Sequence, residues 1–461
     1  MYSPVSVAED ETTLPEAGPG AEAAPEARSN RSDQRARLLE AIVAVAAESG
    51  YPAARVGDVS ARAGVSRATF YELFENKEAC FLAAHRELAG RLIDGVATAI
   101  AEGEPARAID SAFASLIEAA QNDPRGFDFL THEAMLAGPA ALEARDDLLA
   151  QLHDMVERAH RHVRKQALLP DLPSSILLGG LVRVLGMRMR RGAYDSHELL
   201  VETLAWVDCY RTRSRAGRRP IEFPAREIAS ETRLAPGAMA PAPLPRGRHR
   251  LPTALVIRVQ RERILHATAE VIHAKGYDDT TVADIVAKAG VSREVFYSHF
   301  HSRSDAFLAT HKLVFEQMMA TAAGAFIASS GTWPERVWDS WGAATGLVVG
   351  SPSLAHFAFV ESYALGPSVA QRTDEAVLAF TVFLRDGHRY VRDDGAPSAA
   401  IPTAIAGAVM ETTASFIRHD RAEDLFALLG LMVYMILAPF LGADGAIEFV
   451  EGKLLEEPAT G

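Results

Sequence analysis

One short run of residues occurs twice in this chain, and its residue types suit contact with the backbone and bases of a nucleic acid. The run Ala63 to Arg67 reads Ala-Gly-Val-Ser-Arg, and the same five residue types recur 226 positions later, at Ala289 to Arg293. Glycine tolerates positive φ in a tight turn, and a serine hydroxyl caps the first turn of a helix. The arginine that follows can donate to base edges. Each copy therefore predicts a turn followed by a short polar helix.

The ten residues that end in each arginine indicate a duplicated unit. Asp58 to Arg67 and Asp284 to Arg293 are identical at seven of ten positions. A repeat at this distance indicates two copies of one domain, because stacked repeat arrays have much shorter periods. Small residues in the turn let two helices approach closely. The sequence therefore predicts two helix-turn-helix heads.

A longer supporting helix precedes the turn of each head. In copy one we expect it to begin at Asp33, an N-cap residue type, and to end at Gly50; in copy two it ends at Gly276. Its apolar residues recur at helical spacing, which predicts one buried face. That face contains Leu38, Leu39, Ile42, Val45 and Ala46 in copy one, and Ile264, Leu265, Thr268, Val271 and Ile272 in copy two.

Both heads resemble the DNA-binding domain of the TetR family of bacterial transcriptional regulators. In copy one the resemblance rests on Gly50-Tyr51, Ala63 to Arg67, Phe70-Tyr71, Phe74 and Lys77. In copy two it rests on Gly276-Tyr277, Thr280-Thr281, Ala289 to Arg293, Phe296-Tyr297, His299-Phe300 and Phe307. The resemblance implies an all-α fold, with two helix-turn-helix heads each followed by a helical regulatory and dimerisation body, arranged as a tandem repeat.

The resemblance also implies roles in binding double-stranded DNA. The helices Ser66 to Phe74 and Ser292 to Phe300 are expected to enter the major groove. We expect phosphate contacts from Tyr71, Lys77, Tyr297, His299 and Arg303, and base contacts from Arg67, Thr69, Arg293 and Glu294, with Ser66 and Ser292 as the caps. Because Glu294-Val295 replaces Ala68-Thr69, the two half-sites of the operator should differ.

The net charge of −13 is unevenly distributed, so it does not argue against DNA as a partner. Residues 1–30 carry a net −5, residues 31–88 are neutral, and residues 211–250 contain ten arginines against three glutamates. Phosphate contact depends on local charge. We interpret residues 1–30 as a disordered acidic tail and residues 211–250 as a basic Pro/Arg-rich linker, with extra phosphate contacts as the alternative for the linker.

A helical body is predicted behind each head, and the two bodies align loosely. The expected domains are 31–76 (head one), 77–210 (body one), 251–302 (head two), 303–445 (body two) and 446–461 (C-terminal tail). In the alignment Phe129-Leu130 matches Phe359-Val360. We expect Leu177 to Gly186 and its counterpart Ile405 to Met410 to pair the bodies, as a pseudo-dimer within one chain or as a homodimer of chains.

The apolar run Leu425 to Gly442 contains no charged residue and is long enough to suggest a membrane helix. Pro439 interrupts it and no basic flank follows, so we interpret it as a helix buried in a bundle and expect no membrane attachment. No signal segment opens the chain, and Cys80 and Cys209 form no cluster. We expect a cytoplasmic protein.

Aromatic residues are concentrated in body two, where they form either core or the lining of a cavity. They are Trp333, Trp338, Trp341, Phe357, Phe359, Tyr363 and Phe380. The resemblance favours a cavity for a small hydrophobic ligand, with Trp338, Trp341, Phe357 and Tyr363 as its candidate contacts. The pairs His132 with Glu133 and His160 with His162 lack a third ligand at a defined spacing, so neither a metal, a cofactor nor a catalytic residue is predicted.

Together these features predict a DNA-binding transcriptional regulator, a ligand-responsive repressor without enzymatic activity. The alternative is a ligand-binding or protein-interaction scaffold in which one or both heads are no longer DNA-competent.

Overall fold

The structure, a computed structural model, describes residues 25–164, 167–192, 195–211, 241–242, 251–361, 367–391 and 400–456. Within these ranges the chain is all-α and has no strand. The predicted acidic tail up to residue 24 and nearly all of the predicted linker lie outside the described residues, as does Tyr363.

The helices follow one order twice, which confirms the tandem repeat. Head one and body one contain α1 (Pro25–Ser49), α2 (Val56–Ala63), α3 (Arg67–Leu73), α4 (Lys77–Glu102), α5 (Ala108–Asn122), α6 (Pro124–Asp128), α7 (Ala134–Leu136), α8 (Pro139–Val163), α9 (Ser174–Arg190) and α10 (Ser196–Asp208). Head two and body two contain α11 (Thr253–Lys275), α12 (Val282–Ala289), α13 (Arg293–His299), α14 (Arg303–Ala328), α15 (Trp333–Gly350), α16 (Pro352–Phe359), α17 (Pro367–Ala379), α18 (Ala400–Arg418), α19 (Leu429–Leu441) and α20 (Ala443–Glu456). Short 3₁₀ segments cover Pro105–Arg107, Phe380–Tyr390 and Ala422–Phe426, and a π-helical turn covers Phe129–Glu133.

Three predicted segment ends differ from the structure. Helix α1 begins at Pro25 instead of Asp33, because neither glycine nor proline interrupts the residues between Pro25 and Ser49. Residues 446–456 of the predicted C-terminal tail belong to α20, whose Ala446 and Val450 are fully buried. Arg211, assigned to the linker, is part of body one, where its guanidinium lies 2.6 Å from the Asp110 carboxylate.

A ladder of three aromatic rings joins each head to its body. Tyr51 of the α1–α2 turn packs edge-on against Phe81 of α4, with ring centres 4.9 Å apart, and Phe81 stacks on Phe129 of the π-helical turn at 4.2 Å. The second unit repeats this ladder with Tyr277, Phe307 and Phe357. Phe129 is therefore equivalent to Phe357, and the predicted match with Phe359 is wrong by two residues.

The two bodies pack together through α9 and α18, and one hydrophobic core contains residues of both. Small residues bring the helices close: a Cβ added to Gly180 would lie 3.0 Å from the Cβ of Ala408. The Tyr210 hydroxyl of body one also donates to the Met435 carbonyl oxygen of body two at 2.9 Å. The contact expected between Leu177–Gly186 and Ile405–Met410 is thus present within one chain.

The apolar run near residue 430 forms α19, a 13-residue helix that is almost entirely buried. Among the described helices, α18 alone is long and apolar enough to cross a membrane, and most of it is buried in the contact with α9 and the core of body two. The interpretation of Leu425 to Gly442 as a buried helix is confirmed, although part of it is 3₁₀.

Candidate nucleic-acid interface

The turn between the second and third helix has nearly the same geometry in both heads. Gly64 and Gly290 adopt left-handed conformations, with φ of 64° and 65°, which a side chain would strain. The Ser66 hydroxyl then accepts from the Thr69 amide at 3.0 Å, and the Ser292 hydroxyl accepts from the Val295 amide at 3.2 Å. Both caps lie where the sequence predicts them. They fix the direction in which α3 and α13 leave the turn.

The recognition helices α3 and α13 are anchored by one buried ring and expose the next. Phe70 and Phe296 are fully buried, whereas Tyr71 and Tyr297 expose 58% and 57% of their surface. An exposed tyrosine on a short helix leaves its hydroxyl free to meet a phosphate. The two heads therefore present an equivalent phenol, as the phosphate role requires.

The residues predicted to contact bases differ between the heads in charge and in position. Arg67 and Arg293 are both exposed. The Arg67 guanidinium lies against the backbone of Gly57, where a Cβ would be 2.3 Å away, and the second copy has Ala283 at that position. Arg293 cannot take the same path. The Thr69 hydroxyl shares a hydrogen bond with the Ser66 hydroxyl at 2.9 Å. In head two, Val295 takes the place of Thr69, and the exposed Glu294 takes the place of Ala68.

Lys77 and Arg303, predicted to hold phosphates, are instead turned into their own heads. The Lys77 ammonium donates to the carbonyl oxygens of Tyr51 and Ala54 at 2.9 Å and lies 4.0 Å from the centre of the Tyr51 ring. Arg303 donates to the equivalent turn, to the carbonyl oxygens of Tyr277, Asp278 and Thr280. These contacts contradict the predicted role. The side chain of the first residue of α4 or α14 thus ends beside carbonyl oxygens of its own head.

We predict that Lys77→Met will destabilise head one without changing the number of phosphate contacts. Losing hydrogen bonds from a charged donor should cost about 1.5–3 kcal/mol of folding free energy. A true phosphate contact would instead lower the salt-dependence slope of DNA binding by about 1. Denaturant unfolding and binding titrations over a salt series distinguish the two roles. The control is Lys77→Arg, which copies head two and should keep wild-type stability.

His299, also predicted to hold a phosphate, is half-buried beside Phe300. Burial lowers the pKa of its imidazole, and the charge of Arg261 lowers it further. Both effects favour the neutral ring in the free chain, and a neutral ring can still donate a hydrogen bond to a phosphate.

Two exposed arginines of the supporting helices were missed by the sequence prediction. Arg35 lies over the Phe74 ring at 5.7 Å, and Arg261 lies over the Phe300 ring at 5.3 Å, so each stands beside the end of a recognition helix. The two arginines are 226 residues apart, which is the repeat distance of the heads, so the sequence alone could have shown that they are equivalent. Both add local positive charge to the face that carries the exposed tyrosines.

The comparison with known families decides what these heads are. The family model described as "Bacterial regulatory proteins, tetR family" matches the chain twice, at residues 38–84 and 264–310. The chain belongs to the TetR family. It carries two tandem TetR units, and its helix-turn-helix heads make it a DNA-binding regulator.

Several solved structures of bacterial regulators resemble part of this chain. A regulator from Marinobacter aquaeolei VT8 is 22% identical, with a TM-score of 0.34, over 40% of this chain and 100% of that one. The fatty acid degradation regulator FadR from Bacillus halodurans is 19% identical, with a TM-score of 0.34, over 38% and 94%. A regulator from Rhodococcus sp. Rha1 is 23% identical, with a TM-score of 0.33, over 38% and 95%. Among curated proteins none is a significant match.

One glutamate in each TetR unit, buried in the first and half-buried in the second, joins the head to the body. Glu133 of the π-helical turn accepts a hydrogen bond from the Tyr51 amide at 2.6 Å, and Glu361 accepts one from the backbone of Tyr277. Burial raises the pKa of Glu133 to about 7; the hydrogen bond from Tyr51 opposes this rise, and the nearby Asp128 adds to it. Glu133 is therefore a structural contact between head and body.

The histidines His132, His160 and His162, considered as metal ligands from the sequence, have different surroundings in the structure. His132 is buried, and burial together with Arg190, Arg183 and Arg145 lowers its pKa to about 3. His160 is buried whereas His162 is exposed, so the two rings do not converge. The part of the chain that the structure describes contains no group of three His, Cys, Asp or Glu side chains placed to hold a metal.

Body two of this TetR-family chain encloses an apolar cavity of about 90 Å³. It lies between α14, α15 and α18 and has few polar groups, those of Ser340, Thr345 and Thr413. Its apolar lining includes Met318, Trp341, Phe359, Phe380, Phe383, Ile405 and Met432. Pockets for drug-sized ligands measure roughly 300–1,000 Å³. A ligand of that size could enter only if the surrounding helices moved apart.

Of the four predicted ligand contacts, the structure places only Trp341 at this cavity. Trp338 is buried near Phe449 of α20, with ring centres 6.4 Å apart, and Phe357 belongs to the aromatic ladder. Tyr363 lies outside the described residues. Phe359 and Phe380 line the cavity instead, and both were in the aromatic group noted from the sequence. Aromatic composition indicated the body that contains this cavity but not which of its rings line it.

Proposed function

We propose that this TetR-family chain is a cytoplasmic, ligand-responsive repressor whose two heads recognise two non-identical half-sites of one operator. The observation that carries this is the contrast between α3 and α13. They share the same caps and exposed tyrosines but differ at Ala68-Thr69 and Glu294-Val295. A glutamate can accept from cytosine N4, which neither alanine nor threonine does in the same way. The two heads thus share their phosphate contacts but differ in the residues that contact bases.

The pairing of the two bodies supports a single chain that acts in place of a dimer of two chains. The contact of α9 with α18 joins units that carry different heads, so one polypeptide presents both recognition helices. In this proposal Arg67 and Thr69 read one half-site, Arg293 and Glu294 read the other, and Tyr71 and Tyr297 hold phosphates.

The cavity in body two lies where a ligand could move head two. Met318 and Ala322 line it from α14, and α14 begins at Arg303, which grips the turn of head two. The 15 helical steps from Arg303 to Met318 span roughly 22 Å of helix. A ligand that separates α14 from α15 would therefore displace the head. Coupling of this kind is typically about 1–3 kcal/mol.

The direct test is a gel shift with duplex DNA from the regions that flank the protein's own gene. We expect retardation by the full chain, with an affinity that falls steeply as salt rises. If no flanking or selected duplex is bound more tightly than random DNA, while hydrophobic compounds still bind the cavity, the scaffold alternative is the better description.

We predict that Ala344→Phe will uncouple ligand from operator. Ala344 is buried in the cavity wall, so the larger ring should fill the space at a cost of about 1–3 kcal/mol for overpacking. With n-decanol as the hydrophobic probe, the wild type should gain thermal stability and lose operator affinity about 5–150-fold, and the variant should do neither. Ile327→Phe, on the exposed face of α14, is the control. Decanol-induced release from the filled variant would contradict the assignment.

A further inference from the structure

The contact between the two bodies has an approximate two-fold symmetry that relates residues 228 apart. A Cβ on Gly179 would lie 3.0 Å from Cγ of Glu411, and a Cβ on Gly407 would lie 3.2 Å from Cβ of Arg183. Gly179 corresponds to Gly407, and Arg183 corresponds to Glu411. The same position on α9 and α18 therefore carries opposite charges in the two bodies.

One pair of salt bridges keeps its charges under this symmetry. Arg190 lies 2.6 Å from Asp374, and Arg418 lies 2.8 Å from Asp146. Each arginine and each aspartate is again 228 residues from its counterpart. These bridges would form equally well if a body paired with a copy of itself. They therefore do not select the partner.

A second set of charges obeys no such symmetry. Glu411 accepts from Arg145 at 2.8 Å and from Arg418 at 3.2 Å, and these side chains are less than 10% exposed. Arg183, at the equivalent position of body one, lies 3.8 Å from Asp374. The residue that corresponds to Arg145 in body two is Thr373, which is uncharged. Arg145 therefore gives Glu411 a cation across the contact that a second copy of body two would not supply.

Pairing like with like would bury charges of one sign together. In a pair of two copies of body one, Arg183 would stand where Glu411 stands, between Arg145 and Arg190, with Asp146 as the nearby anion. In a pair of two copies of body two, Glu411 would keep Arg418 of its own body, but across the contact it would meet Asp374 and the uncharged Thr373 in place of Arg145. A buried charge that loses its partner strongly destabilises a contact, and repulsive groups of this kind select one partner over another.

We propose that the exchange of Arg183 for Glu411 makes each body the specific partner of the other and excludes pairing with a second copy of itself. The partner that this surface fits is therefore a body of the opposite kind, which the same chain supplies. The inference rests on the body pairing in the proposed function and not on DNA binding, so its test uses no DNA. A failed gel shift would leave it standing.

The decisive variant is Glu411→Arg in the full chain. Within one chain the introduced arginine would face Arg145 and Arg418, but against a second body two it would face Asp374 as Arg183 does here. Light scattering should give the one-chain mass of 49.7 kDa for the wild type and twice that mass for the variant at micromolar concentration. Adding Arg145→Glu restores an opposite charge across the mixed pair, so the double variant should return to one chain. Glu411→Gln, which removes the charge without creating a cation, should stay one chain with a lowered melting temperature.

A cysteine introduced at the contact between bodies shows which bodies pair. Ala408 faces the position of Gly180 at the centre of the contact, so Ala408→Cys in two copies of body two would bring two thiols within disulfide range. An interchain disulfide should form on oxidation when Ala408→Cys is combined with Glu411→Arg, and not with Ala408→Cys alone or Glu411→Arg alone. A two-chain wild type that forms this disulfide, or a helical Glu411→Arg variant that stays one chain, would overturn the inference. If Glu411→Arg aggregates, the reciprocal Arg183→Glu decides, because the carboxylate introduced into one copy of body one would face Arg145 of another copy, beside Arg190 of its own.

Discussion

Replacing Glu294 and Val295 by alanine and threonine is expected to convert the preferred operator from an asymmetric site into a palindrome. The double variant gives α13 the same first turn as α3, Arg-Ala-Thr. Each mismatched base pair in a site typically costs about 1–3 kcal/mol. The wild type should therefore prefer its asymmetric operator over the palindrome of head-one half-sites by about 5- to 150-fold, and the variant should reverse that order.

The substitution is designed to leave the head folded. Val295 already donates its amide to Ser292, and a threonine there can add the hydroxyl contact that Thr69 makes with Ser66. Removing Glu294 from the first turn of α13 should cost about 0.3–1 kcal/mol through the helix dipole. Sites are obtained by selection from random duplexes, and affinities are measured by anisotropy.

The control for this experiment is Tyr297→Phe, which removes a predicted phosphate contact. It should weaken binding to every duplex by a similar factor without changing their order. A wild type that binds a perfect palindrome as tightly as any asymmetric site would show that the two heads read the same sequence. Our assignment of Glu294 to a base would then be wrong.

Glu133→Gln is expected to remove a pH dependence from the joint between head one and body one. The pKa of Glu133 is about 7 in the folded chain, above its ordinary value of 4.5. Between about pH 4.5 and 7 the folded carboxyl keeps a proton that the unfolded chain has released, so stability falls as pH rises through this window and is level above it. The shift corresponds to about 2–4 kcal/mol.

Glutamine keeps an oxygen that can accept from the Tyr51 amide but has no proton to lose. The stability of the variant relative to that of the wild type should therefore be greater at pH 8 than at pH 5. Hydrogen exchange of the α1–α2 turn measures the joint directly, because a chain with several domains need not unfold in two states. Glu143→Gln, an exposed carboxylate on α8, is the control. Equal pH profiles for Glu133→Gln and wild type would mean that the carboxylate is ionised in the folded chain.

The sequence alone determined the heads, because their geometry is local. A turn that needs positive φ selects glycine, and a helix start that needs an acceptor selects serine, so Gly64 with Ser66 and Gly290 with Ser292 specify the same turn wherever they occur. The repeat distance then gave the tandem order of the fold, and the polar-aromatic helix gave the DNA-binding hypothesis. The sequence placed the capping serines and the exposed tyrosines correctly.

Only the tertiary structure decided which side chains meet across long separations. Helical periodicity tells which face of α4 carries Lys77, but not that the carbonyl of Tyr51 stands opposite it. The same holds for Glu133, Trp341 and Glu411, whose partners belong to other helices. Arg145 and Glu411 are 266 residues apart, so no local pattern could pair them. Their role follows from the packing of α9 on α18, because the energetic effect of a buried charge depends on the charge that the neighbouring helix supplies.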